Sequence, residues 1–579
     1  MLLLGLNAFH GDASAALLRD GHLVAAVEEE RFNRVKHWAG FPALAAKWCL
    51  TDTDPGELQH VAISRDPRAH LARKLLRMAT RPGDWGRLAS RTRNTVNVAR
   101  LASRFPGVRV HHVEHHRAHL ASAFFCSPFE RAAVVSIDGF GDFSSVMWAT
   151  GQENRLDMKG GVHFPHSLGL FYTAFTQFLG FLKYGDEYKM MGLSAYGQPR
   201  FLQKMREVVR VEGDQVCLNL DYFVHHTAGV EMTWNNCEPT LGRVYSPKLP
   251  EVFGQPREPR AEILPQHADL AASVQARLEE CYFDLLNAVH ARTRQMAVCL
   301  AGGVALNCVA NGKIFEKTPF QDVYIQAASH DAGTSIGAAL YVWHQVLGKP
   351  RDYVMRHVYY GPEFSESEIR ADLDHAGVFY DRLPQEGLID ATAREIAAGK
   401  IVGWFQGRME FGPRALGARS ILADPRRPDM KDILNRRIKY REPFRPFCPS
   451  VLAEATGDFF ECGYPSPFMV QAYRIKPSER ERIPAVTHQD GTGRLQTVER
   501  DVNPLYWSLL KRFGELTGVP ILINTSFNEN EPIVNTPAQA IDCFLRTHMD
   551  TLVIGPFFLR KTDNTDLSEK RRALAQVSK

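Results

Sequence analysis

The sequence predicts an α/β protein with two domains, the first of which is built from two similar lobes. A strand–loop–strand pattern covers residues 2–27 and returns at residues 132–149, which indicates a duplicated fold. Glycine, proline and a helix-capping sequence accumulate around residues 347–366, which indicates a domain boundary. With 579 residues, 45% of them hydrophobic and 23% charged, the chain is long enough for two or more cores.

The first lobe opens with three short strands. We predict them at residues 2–8, 14–18 and 22–27, with Asp20-Gly21 as the hairpin turn between the last two. The polar loop that joins the first two strands carries His10 and Asp12. The second lobe repeats this arrangement around the acidic loop 138–142.

Two histidines near the start of the second lobe have a spacing that is typical of metal ligands. Residues 115–124 have a helical pattern, so that His115 and His119 lie one turn apart on one face. Asp138 follows the apolar strand 132–137. The zinc-protease pattern HExxH is excluded because His116 stands where its glutamate base is required. The segment predicts a metal site beside a phosphate-type loop, and the alternative is a pair of histidines on a polar helix surface.

A glycine-rich loop follows a long helix and a buried strand. The helix is predicted over 266–294, the strand over 296–300, and Gly302-Gly303 comes next. Paired glycines let backbone N–H groups approach a ligand, and the start of the following helix favours anions. The loop predicts a nucleotide-phosphate site, unless it is a plain strand–helix corner. Asp331, after a further strand, is a fourth candidate metal ligand.

The second domain carries a dense set of basic residues on loops. A helix is predicted over 391–398 and strands over 401–405 and 519–523, with polar Asn524 to Asn528 at the end of the last strand. Glycine and proline interrupt the basic interval, so that several guanidinium groups lie on shaped turns that suit phosphate or carboxylate oxygens. The basic residues are Arg408, Arg414, Arg419, Arg426, Arg427, Arg436, Arg437, Lys439, Arg441 and Arg445. They predict an anion pocket, and nucleic-acid binding is less favoured because stacking aromatic residues are sparse.

Composition excludes several classes of protein. The net charge of +4 is too small for nucleic-acid binding to be inferred from it, and the arginines of residues 67–104 fit solvated helices. The ten cysteines form no CxxC pair, which argues against a zinc knuckle or a redox dithiol. No run approaches eighteen apolar residues, and the N-terminus has no basic leader. We therefore expect a cytoplasmic protein without membrane or nucleic-acid partners.

Taken together and in order, the motifs resemble the O-carbamoyltransferases of the nodulation-protein-U and cephamycin/tobramycin type. The resemblance covers essentially the whole chain, and its longest block runs from Gly407 to Gly417. The other matching segments are Gly5-Leu6-Asn7, Asp12 to Ala16, Glu28 to Phe32 with Lys36-His37, His115 and His119, Asp138-Gly139, Glu187 to Lys189 with Met191 to Leu193, Gly302 to Asn307, Arg441 to Phe447, and Asn524 to Asn528.

The resemblance implies a fold and a reaction for each domain. Residues 1–355 would form a TsaD-like domain of the actin-like ATPase (ASKHA) architecture, and residues 356–579 a YrdC-like α/β domain. The second domain would make carbamoyl-adenylate from carbamoyl phosphate and ATP with release of pyrophosphate. The first would transfer the carbamoyl group to a hydroxyl of a small-molecule acceptor such as a sugar or a natural product.

The resemblance also implies site residues and cofactors. The metal ligands would be His115, His119, Asp138 and Asp331, with Fe(II) as the expected ion and Mn(II) or Zn(II) compatible with the ligand types. Catalytic roles would fall to His10, Asp12, Lys36, Arg414 and Lys439. Carbamoyl phosphate and the adenylate would be bound by Arg414, Lys439, Arg445, Arg494 and Asn524. ATP with Mg(II) would be bound by Asp138, Gly139, Gly302, Gly303 and Asn307.

Two other functions are compatible with parts of this pattern. A fused tRNA threonylcarbamoyl-type transferase would use both kinds of domain, and a non-catalytic actin-like protein would use nucleotide only to hold its lobes closed. A hydrogenase-maturation carbamoyltransferase is disfavoured because its paired CxxC motifs are absent. The family makes a homodimer a reasonable expectation, and we expect acceptor contacts within residues 60–105 and 210–262.

Overall fold

The computed structural model describes residues 1–80, 107–229, 232–235 and 238–577, which divide into two units, Met1–Met355 and Arg356–Lys579. Each unit combines helices with mixed β-sheets. Six of the arginines of residues 67–104, and parts of the stretches 60–105 and 210–262, lie outside the described residues.

The first sheet forms as the sequence predicts at its N-terminal end. Its strands are β1 (Leu2–Asn7), β2 (Ser14–Arg19), β3 (His22–Glu28), β4 (Leu58–Ile63) and β5 (Arg109–His112), in the order β3-β2-β1-β4-β5. β1 is antiparallel to β2 and parallel to β4, and β4 is parallel to β5. The three predicted strands are confirmed with ends shifted by a residue. The helices that accompany this sheet are Glu30–Asn33, Ala43–Cys49 and Leu71–Thr80.

The second sheet repeats this topology. It contains β6 (Arg131–Gly141), β7 (Ser144–Gln152), β8 (Arg155–His163), β13 (Ala297–Ala301) and β14 (Asp322–Ile325), in the order β14-β13-β6-β7-β8. β6 is antiparallel to β7 and parallel to β13, and β13 is parallel to β14. The predicted duplication is therefore confirmed, but the predicted extent of loop 138–142 is wrong, because β6 continues to Gly141, which pairs with Ser144 of β7. Two small hairpins lie between, β9 (Val209–Glu212) with β10 (Gln215–Leu218) and β11 (Met232–Asn235) with β12 (Glu238–Leu241).

Helices connect the strands of the second lobe. They are His115–Phe124, Leu168–Phe178, Glu187–Ser194, Leu202–Val208, Lys248–Phe253, Pro265–Thr293, Cys308–Asn311, Ile314–Lys317 and Thr334–Tyr341. The predicted helix 266–294 is confirmed, with its start and end one residue earlier. Within the ranges that the structure covers, none of the helices combines the length and the apolar character needed to cross a bilayer.

Two of these helices touch through their backbones. A Cβ atom added at Gly337, in helix Thr334–Tyr341, would overlap the carbonyl oxygen of Ala118 and lie 2.9 Å from the amide nitrogen of Ser122, both in helix His115–Phe124. Backbones can approach this closely only where a residue has no side chain. Gly337 therefore fixes the position of the helix that carries His115 and His119.

We expect Gly337→Ala to destabilise the protein by about 3 kcal/mol, because the methyl group forces the two helices apart in a packed interior. Thermal denaturation measures the loss. Gly457→Ala is the matched control, since nothing lies within 4 Å of a Cβ atom at Gly457, in helix Thr456–Phe459. Its stability should change by about 1 kcal/mol or less. Equal stability of the two variants would contradict the close approach.

The second unit is built on an eight-stranded sheet. Its strands are β15 (Asp381–Arg382), β16 (Val402–Phe405), β17 (Arg419–Ala423), β18 (Cys448–Leu452), β21 (Gln496–Val498), β22 (Ile521–Ser526), β23 (Thr551–Ile554) and β24 (Phe557–Arg560), in the order β15-β24-β23-β16-β17-β22-β18-β21. A separate pair consists of β19 (Ala472–Arg474) and β20 (Thr492–Arg494).

Helices cover this sheet. They are Glu366–Ala376, Gln385–Ala397, Met430–Leu434, Thr456–Phe459, Pro504–Thr517, Pro537–Arg546 and Thr565–Val577. The predicted capping box is confirmed, because Ser365 and Glu368 cap the first of these helices reciprocally. The predicted end of strand 519–523 is wrong: β22 continues to Ser526, since Thr525 and Ser526 still pair with Ile421 and Ser420 of β17.

Candidate functional site

Four potential metal ligands converge in the first unit. His115, His119, Asp138 and Asp331 each offer one donor atom, and these atoms lie within 4.8 Å of one another. The Nε2 atoms of the two histidines are 3.1 Å apart. His115 Nε2 is 3.3 Å from Asp138 Oδ2 and 3.5 Å from Asp331 Oδ1, and the corresponding distances from His119 Nε2 are 3.7 and 3.6 Å. The structure thus brings together all four predicted ligands.

The helix that supplies the two histidines is fixed at its start. Glu114 is its N-cap and accepts a hydrogen bond from the Arg117 amide at 2.8 Å. Asp142 Oδ2 accepts hydrogen bonds from the amides of His115, at 3.1 Å, and of Asp66, at 2.7 Å. A Cβ atom at Gly141 would overlap the His115 ring, so β6 runs directly beneath it. These contacts fix the orientation of the His115 ring, which the spacing of the two histidines in the sequence does not determine.

Asp138 is oriented by Gly303, the second of the paired glycines. Its Oδ1 accepts a hydrogen bond from the Gly303 amide at 2.9 Å, while its Oδ2 faces the histidines. The Gly302 amide donates to Ser329 O at 2.7 Å. The two N–H groups that the sequence predicts for phosphate binding therefore have partners within the protein, and one of them positions a candidate metal ligand.

The other residues predicted to bind nucleotide are also held by protein contacts. Gly139 O accepts a hydrogen bond from Ser167 Oγ at 2.8 Å. The Asn307 amide exchanges two hydrogen bonds with Gln275, of 2.9 and 3.0 Å, and caps helix Cys308–Asn311. Their contact with nucleotide stays a prediction.

The four donors fit a divalent transition metal. Metal–ligand distances of about 2.0–2.2 Å place neighbouring ligands about 3–3.6 Å apart, close to the separations observed here. Burial alone would raise the pKa of Asp138, but hydrogen bonds with His115 and His119 hold the pKa well below its usual range. Both histidine side chains are fully buried with their Nδ1 atoms unpaired. Two imidazoles and two carboxylates form a mixed N/O set that Fe(II), Mn(II) and Zn(II) accept.

His116, the third histidine of the motif, has a structural role. It is fully buried, and its Nδ1 lies 2.9 Å from Ser136 Oγ on β6. Burial, followed by the charges of His115 and His119, lowers its pKa well below the usual value. A neutral His116 thus holds helix His115–Phe124 against the second sheet.

The β1–β2 loop brings further polar groups to the edge of the cluster. The His10 ring stacks on His115 with centroids 4.7 Å apart, and its Nδ1 is 3.9 Å from Asp331 Oδ2. Asp12 Oδ1 is 2.7 Å from His37 Nδ1 and 3.9 Å from His330 Nε2. His37 and His330 were not among the predicted site residues, although Lys36-His37 is part of a matching motif. Lys36 itself is exposed.

The Asp12–His37 pair predicts a dependence of stability on pH. Burial alone would lower the pKa of His37, but the charge and hydrogen bond of Asp12 raise it to about 9. Burial alone would raise the pKa of Asp12, but the charges of His37 and His330 outweigh the effect of burial and lower this pKa to about 2. The contribution of the charged His37 to the free energy of unfolding is complete at pH values below the ordinary histidine pKa of 6.5. It is lost as the pH rises through about 9.

We therefore expect His37→Gln to lower the melting temperature by about 2–4 °C at pH 6 and by much less at pH 9.5. Thermal scans of the variant and the wild-type protein at both pH values measure the two differences. A difference of equal size at pH 6 and pH 9.5 would contradict a charged pair.

In the second unit, the loop that carries the predicted anion-binding residue Arg414 is organised around Glu410. This buried carboxylate accepts hydrogen bonds at Oε1 from the amides of Leu416, Ala418 and Arg419, at 2.7, 2.7 and 3.1 Å. It thereby fixes the loop that carries Arg414. Gln496 Nε2 donates to Leu416 O at 2.8 Å and ties this loop to β21.

Several predicted substrate residues meet near the end of β22. Asn524 pairs with Cys448 across the sheet, and the Arg494 guanidinium lies 2.8 and 3.0 Å from Cys448 Sγ. Asn524 is 1% exposed and donates to Ser450 Oγ and Gln496 Oε1, while its own oxygen has no hydrogen-bond partner. Asn524 is thus inside the strand rather than beyond its end.

Lys439 is buried rather than presented on a loop surface. Its Nζ donates to Ser526 O at 2.6 Å and to the backbone and side-chain oxygens of Asn528, both at 2.7 Å. Burial, followed by the charge of Arg441, lowers its pKa well below the usual value. Lys439 therefore anchors the turn that follows Asn524, a contact that the density of basic residues did not reveal. Arg445 lies 3.6 Å from Glu442.

An open pocket of about 510 Å³ lies between the start of the π-helical turn Asn435–Lys439 and the segment 440–443. It is lined by Asp432, Asn435, Arg436, Tyr440, Arg441 and Pro443. Two guanidinium groups and an exposed tyrosine give the pocket cationic and aromatic groups, and Asp432 adds one carboxylate.

Comparison with known proteins gives the family. Residues 92–340 match the family described as "Carbamoyltransferase N-terminus", and residues 393–561 match "Carbamoyltransferase C-terminus". The chain is 38% identical to nodulation protein NolNO of Sinorhizobium fredii, covering 98% of this chain and 82% of that protein. It is 40% identical to nodulation protein NolO of Bradyrhizobium diazoefficiens, covering 78% and 79%, and 40% identical to an uncharacterized protein of Synechocystis, covering 97% of both.

Among solved structures, the chain is similar to HypF of T. kodakarensis, with a TM-score of 0.32 and 12% identity over 61% of this chain and 49% of HypF. A second similarity is to full-length HypF in its phosphate- and nucleotide-bound form, with a TM-score of 0.30 and 13% identity over 60% of this chain and 55% of that one. The assignment depends on the sequence matches. They show that the chain belongs to the nodulation-protein family of carbamoyltransferases and is a carbamoyltransferase enzyme.

Proposed function

We propose that this enzyme is an ATP-dependent O-carbamoyltransferase with two separate sites. The unit 356–579 forms carbamoyl-adenylate from carbamoyl phosphate and ATP, and the unit 1–355 transfers the carbamoyl group to a hydroxyl of a small-molecule acceptor. The observation that supports this best is that each unit has a polar site of different chemistry. The first has four metal-donor side chains, and the second has an open pocket with Arg436 and Arg441 in its lining.

The second site suits the activation step. Water first cleaves carbamoyl phosphate into carbamate and phosphate. A carbamate oxygen then bonds to the α-phosphorus of ATP, the bond from that phosphorus to the β-phosphate oxygen breaks, and pyrophosphate leaves. Each carbamoyl-adenylate therefore accompanies one pyrophosphate and one phosphate. Arg414 and Arg494 stabilise negative charge that develops on the phosphates. Glu410 and Lys439 hold the loop of Arg414 and the turn after Asn524 in place.

The first site suits the transfer step. A divalent cation bound by His115, His119, Asp138 and Asp331 would supply Lewis acidity and an anchor for oxygen ligands. A base must take the proton of the acceptor hydroxyl. His37 is held protonated by Asp12 at neutral pH, so His10, which stacks on His115, is the better candidate base. Asp12 and His37 fix the loop on which His10 lies.

We propose Fe(II) as the resident ion, with Mn(II) and Zn(II) compatible with the donor set. Metal analysis of protein purified without added metal, followed by competition among the three ions, tests this choice. One equivalent of iron that resists exchange by zinc supports it, whereas retention of zinc alone would overturn it.

The overall function is tested by incubating the purified protein with ATP, carbamoyl phosphate and Fe(II). Pyrophosphate and AMP are the expected products, and formation of ADP and phosphate alone would overturn the adenylate route. Mass spectrometry of hydroxylated candidates then detects the carbamoylated acceptor. Incorporation of threonine and bicarbonate into tRNA would instead support a threonylcarbamoyl-type transferase.

A further inference from the structure

Tyr184 lies on a short loop beside the candidate metal centre. The loop connects helix Leu168–Phe178 to helix Glu187–Ser194, and Gly180 and Gly185 adopt φ values of +75° and +81° at its two ends. Such values are readily accessible only to glycine, so the path of the loop is set by these two residues. The tyrosine side chain is half-buried, while the neighbouring Leu182 is 54% exposed.

The phenol end of the Tyr184 side chain lies against the β1–β2 loop at Gly11. A Cβ atom at Gly11 would overlap Tyr184 Oη and lie 2.7 and 2.9 Å from its Cζ and Cε1 atoms. The three nearest atoms to that position all belong to Tyr184. The ring also meets His37 edge-on, with centroids 5.5 Å apart. Tyr184 therefore covers the residue that separates His10 from Asp12.

This position puts an aromatic ring against the β1–β2 loop, whose polar residues lie at the edge of the candidate centre. His10 stacks on the ligand His115 and reaches toward the ligand Asp331, and Asp12 contacts His37 and His330. A tyrosine ring is large, rigid and apolar except at its hydroxyl. Placed over Gly11, it removes space that water would otherwise occupy next to His10.

Water competes with the acceptor for the same carbon. In transfer, the acceptor oxygen bonds to the carbamoyl carbon, the bond from that carbon to the adenylate oxygen breaks, AMP leaves, and the proton passes to a base. If water attacks instead, the products are AMP and carbamate, which decomposes to ammonia and carbon dioxide. Active sites that handle such intermediates limit this loss by excluding water.

We propose that Tyr184 is a specificity-determining residue that protects the carbamoyl group from water, so that the acceptor hydroxyl is the nucleophile used. The proposal rests on the two-site function above. The part of Tyr184 that shields the carbamoyl group is its ring. The ring fits at this place because Gly11 has no side chain.

The test measures hydrolysis in the absence of any acceptor. With ATP and carbamoyl phosphate, Tyr184→Ala should release ammonia about tenfold faster than the wild-type enzyme, while the initial burst of pyrophosphate is unchanged. Tyr184→Phe keeps the ring and should behave like the wild type. Leu182→Ala, in the same loop but exposed, is the matched control and should also leave ammonia release unchanged.

A double-mutant comparison identifies the contact itself. Gly11→Ala should displace the ring and raise ammonia release as Tyr184→Ala does, and the double variant should be no faster than Tyr184→Ala alone. Metal content and melting temperature, measured for each variant, report whether the first unit remains folded.

Three outcomes would overturn the proposal: unchanged ammonia release in Tyr184→Ala, a rise of equal size in Tyr184→Phe, or additive effects of Gly11→Ala and Tyr184→Ala. Failure of the two-site function looks different, because the wild-type protein would then give no pyrophosphate. The two results are therefore distinguishable within one experiment.

Discussion

Replacing His119 by alanine is expected to abolish carbamoyl transfer while pyrophosphate release continues at the wild-type rate. The His119 side chain is fully buried, and its Nε2 is within 3.7 Å of donor atoms of the other three candidate ligands. Loss of even a supporting contact costs metal sites about 10–100-fold in affinity or activity. Loss of a ligand should lower both by at least about 100-fold.

A buried histidine on the same helix provides the matched control. His116 is as fully buried as His119 and its ring lies 5.5 and 6.0 Å from the rings of His115 and His119, but its Nδ1 contacts Ser136 and it is not one of the four candidate ligands. His116→Ala should therefore lower the melting temperature as His119→Ala does, because both leave a cavity, yet retain the metal. Metal analysis and acceptor carbamoylation are measured on both variants. Normal transfer by His119→Ala would refute the assignment of the cluster as the transfer site.

The metal cluster could be predicted largely because its parts obey local rules. Spacing of four residues places His115 and His119 on one helix face, and a strand pattern places Asp138 beyond the buried part of β6. Parallel strands of one sheet end at the same edge, so Asp138, in the last part of β6, and Asp331, after β14, meet. The hydrogen bond from Gly303 to Asp138 was missed, because a glycine pair has the same appearance whether it binds phosphate or a carboxylate.

The contacts of the β1–β2 loop could not be read from the sequence. His37, His330 and Tyr184 come from three separate segments, and no helical or strand period relates them to Asp12. Their approach depends on how the first sheet and the helices of the second lobe pack. Asp12 and His37 both adopt positive φ values, of 55°, which non-glycine residues rarely do and which their hydrogen bond helps to hold.

In the second unit, sequence indicated the basic loops but not the direction of each side chain. Lys439 stands among arginines in the sequence, yet it is 2% exposed, whereas Tyr440, which follows it, is 53% exposed. The π-helical turn Asn435–Lys439 ends with Tyr440 at a φ of +43°, and this turns the lysine inward. Such a turn has no composition signal, and charge density alone predicts a cation facing solvent or substrate.

Lys439→Met is expected to stop pyrophosphate formation, with a loss of at least about 100-fold. Methionine fills a similar volume but leaves the oxygens of Ser526 and Asn528 without the ammonium that now binds them. Each buried oxygen left unpaired costs about 1–3 kcal/mol, so the turn after Asn524 should move to find new partners. Asn524 and Arg494, linked through Cys448, then lose the arrangement proposed for carbamoyl phosphate.

Lys400→Met is the matched control. It removes an exposed lysine from the same unit and should change neither activity nor stability. Pyrophosphate release, melting temperature and metal content are measured on both variants. Lys439→Met should lower the first two and retain the metal, because the four metal ligands lie in the other unit. Wild-type pyrophosphate release by Lys439→Met would show that neither the ammonium nor the turn it anchors serves activation, and the adenylation site would then have to lie elsewhere in the chain.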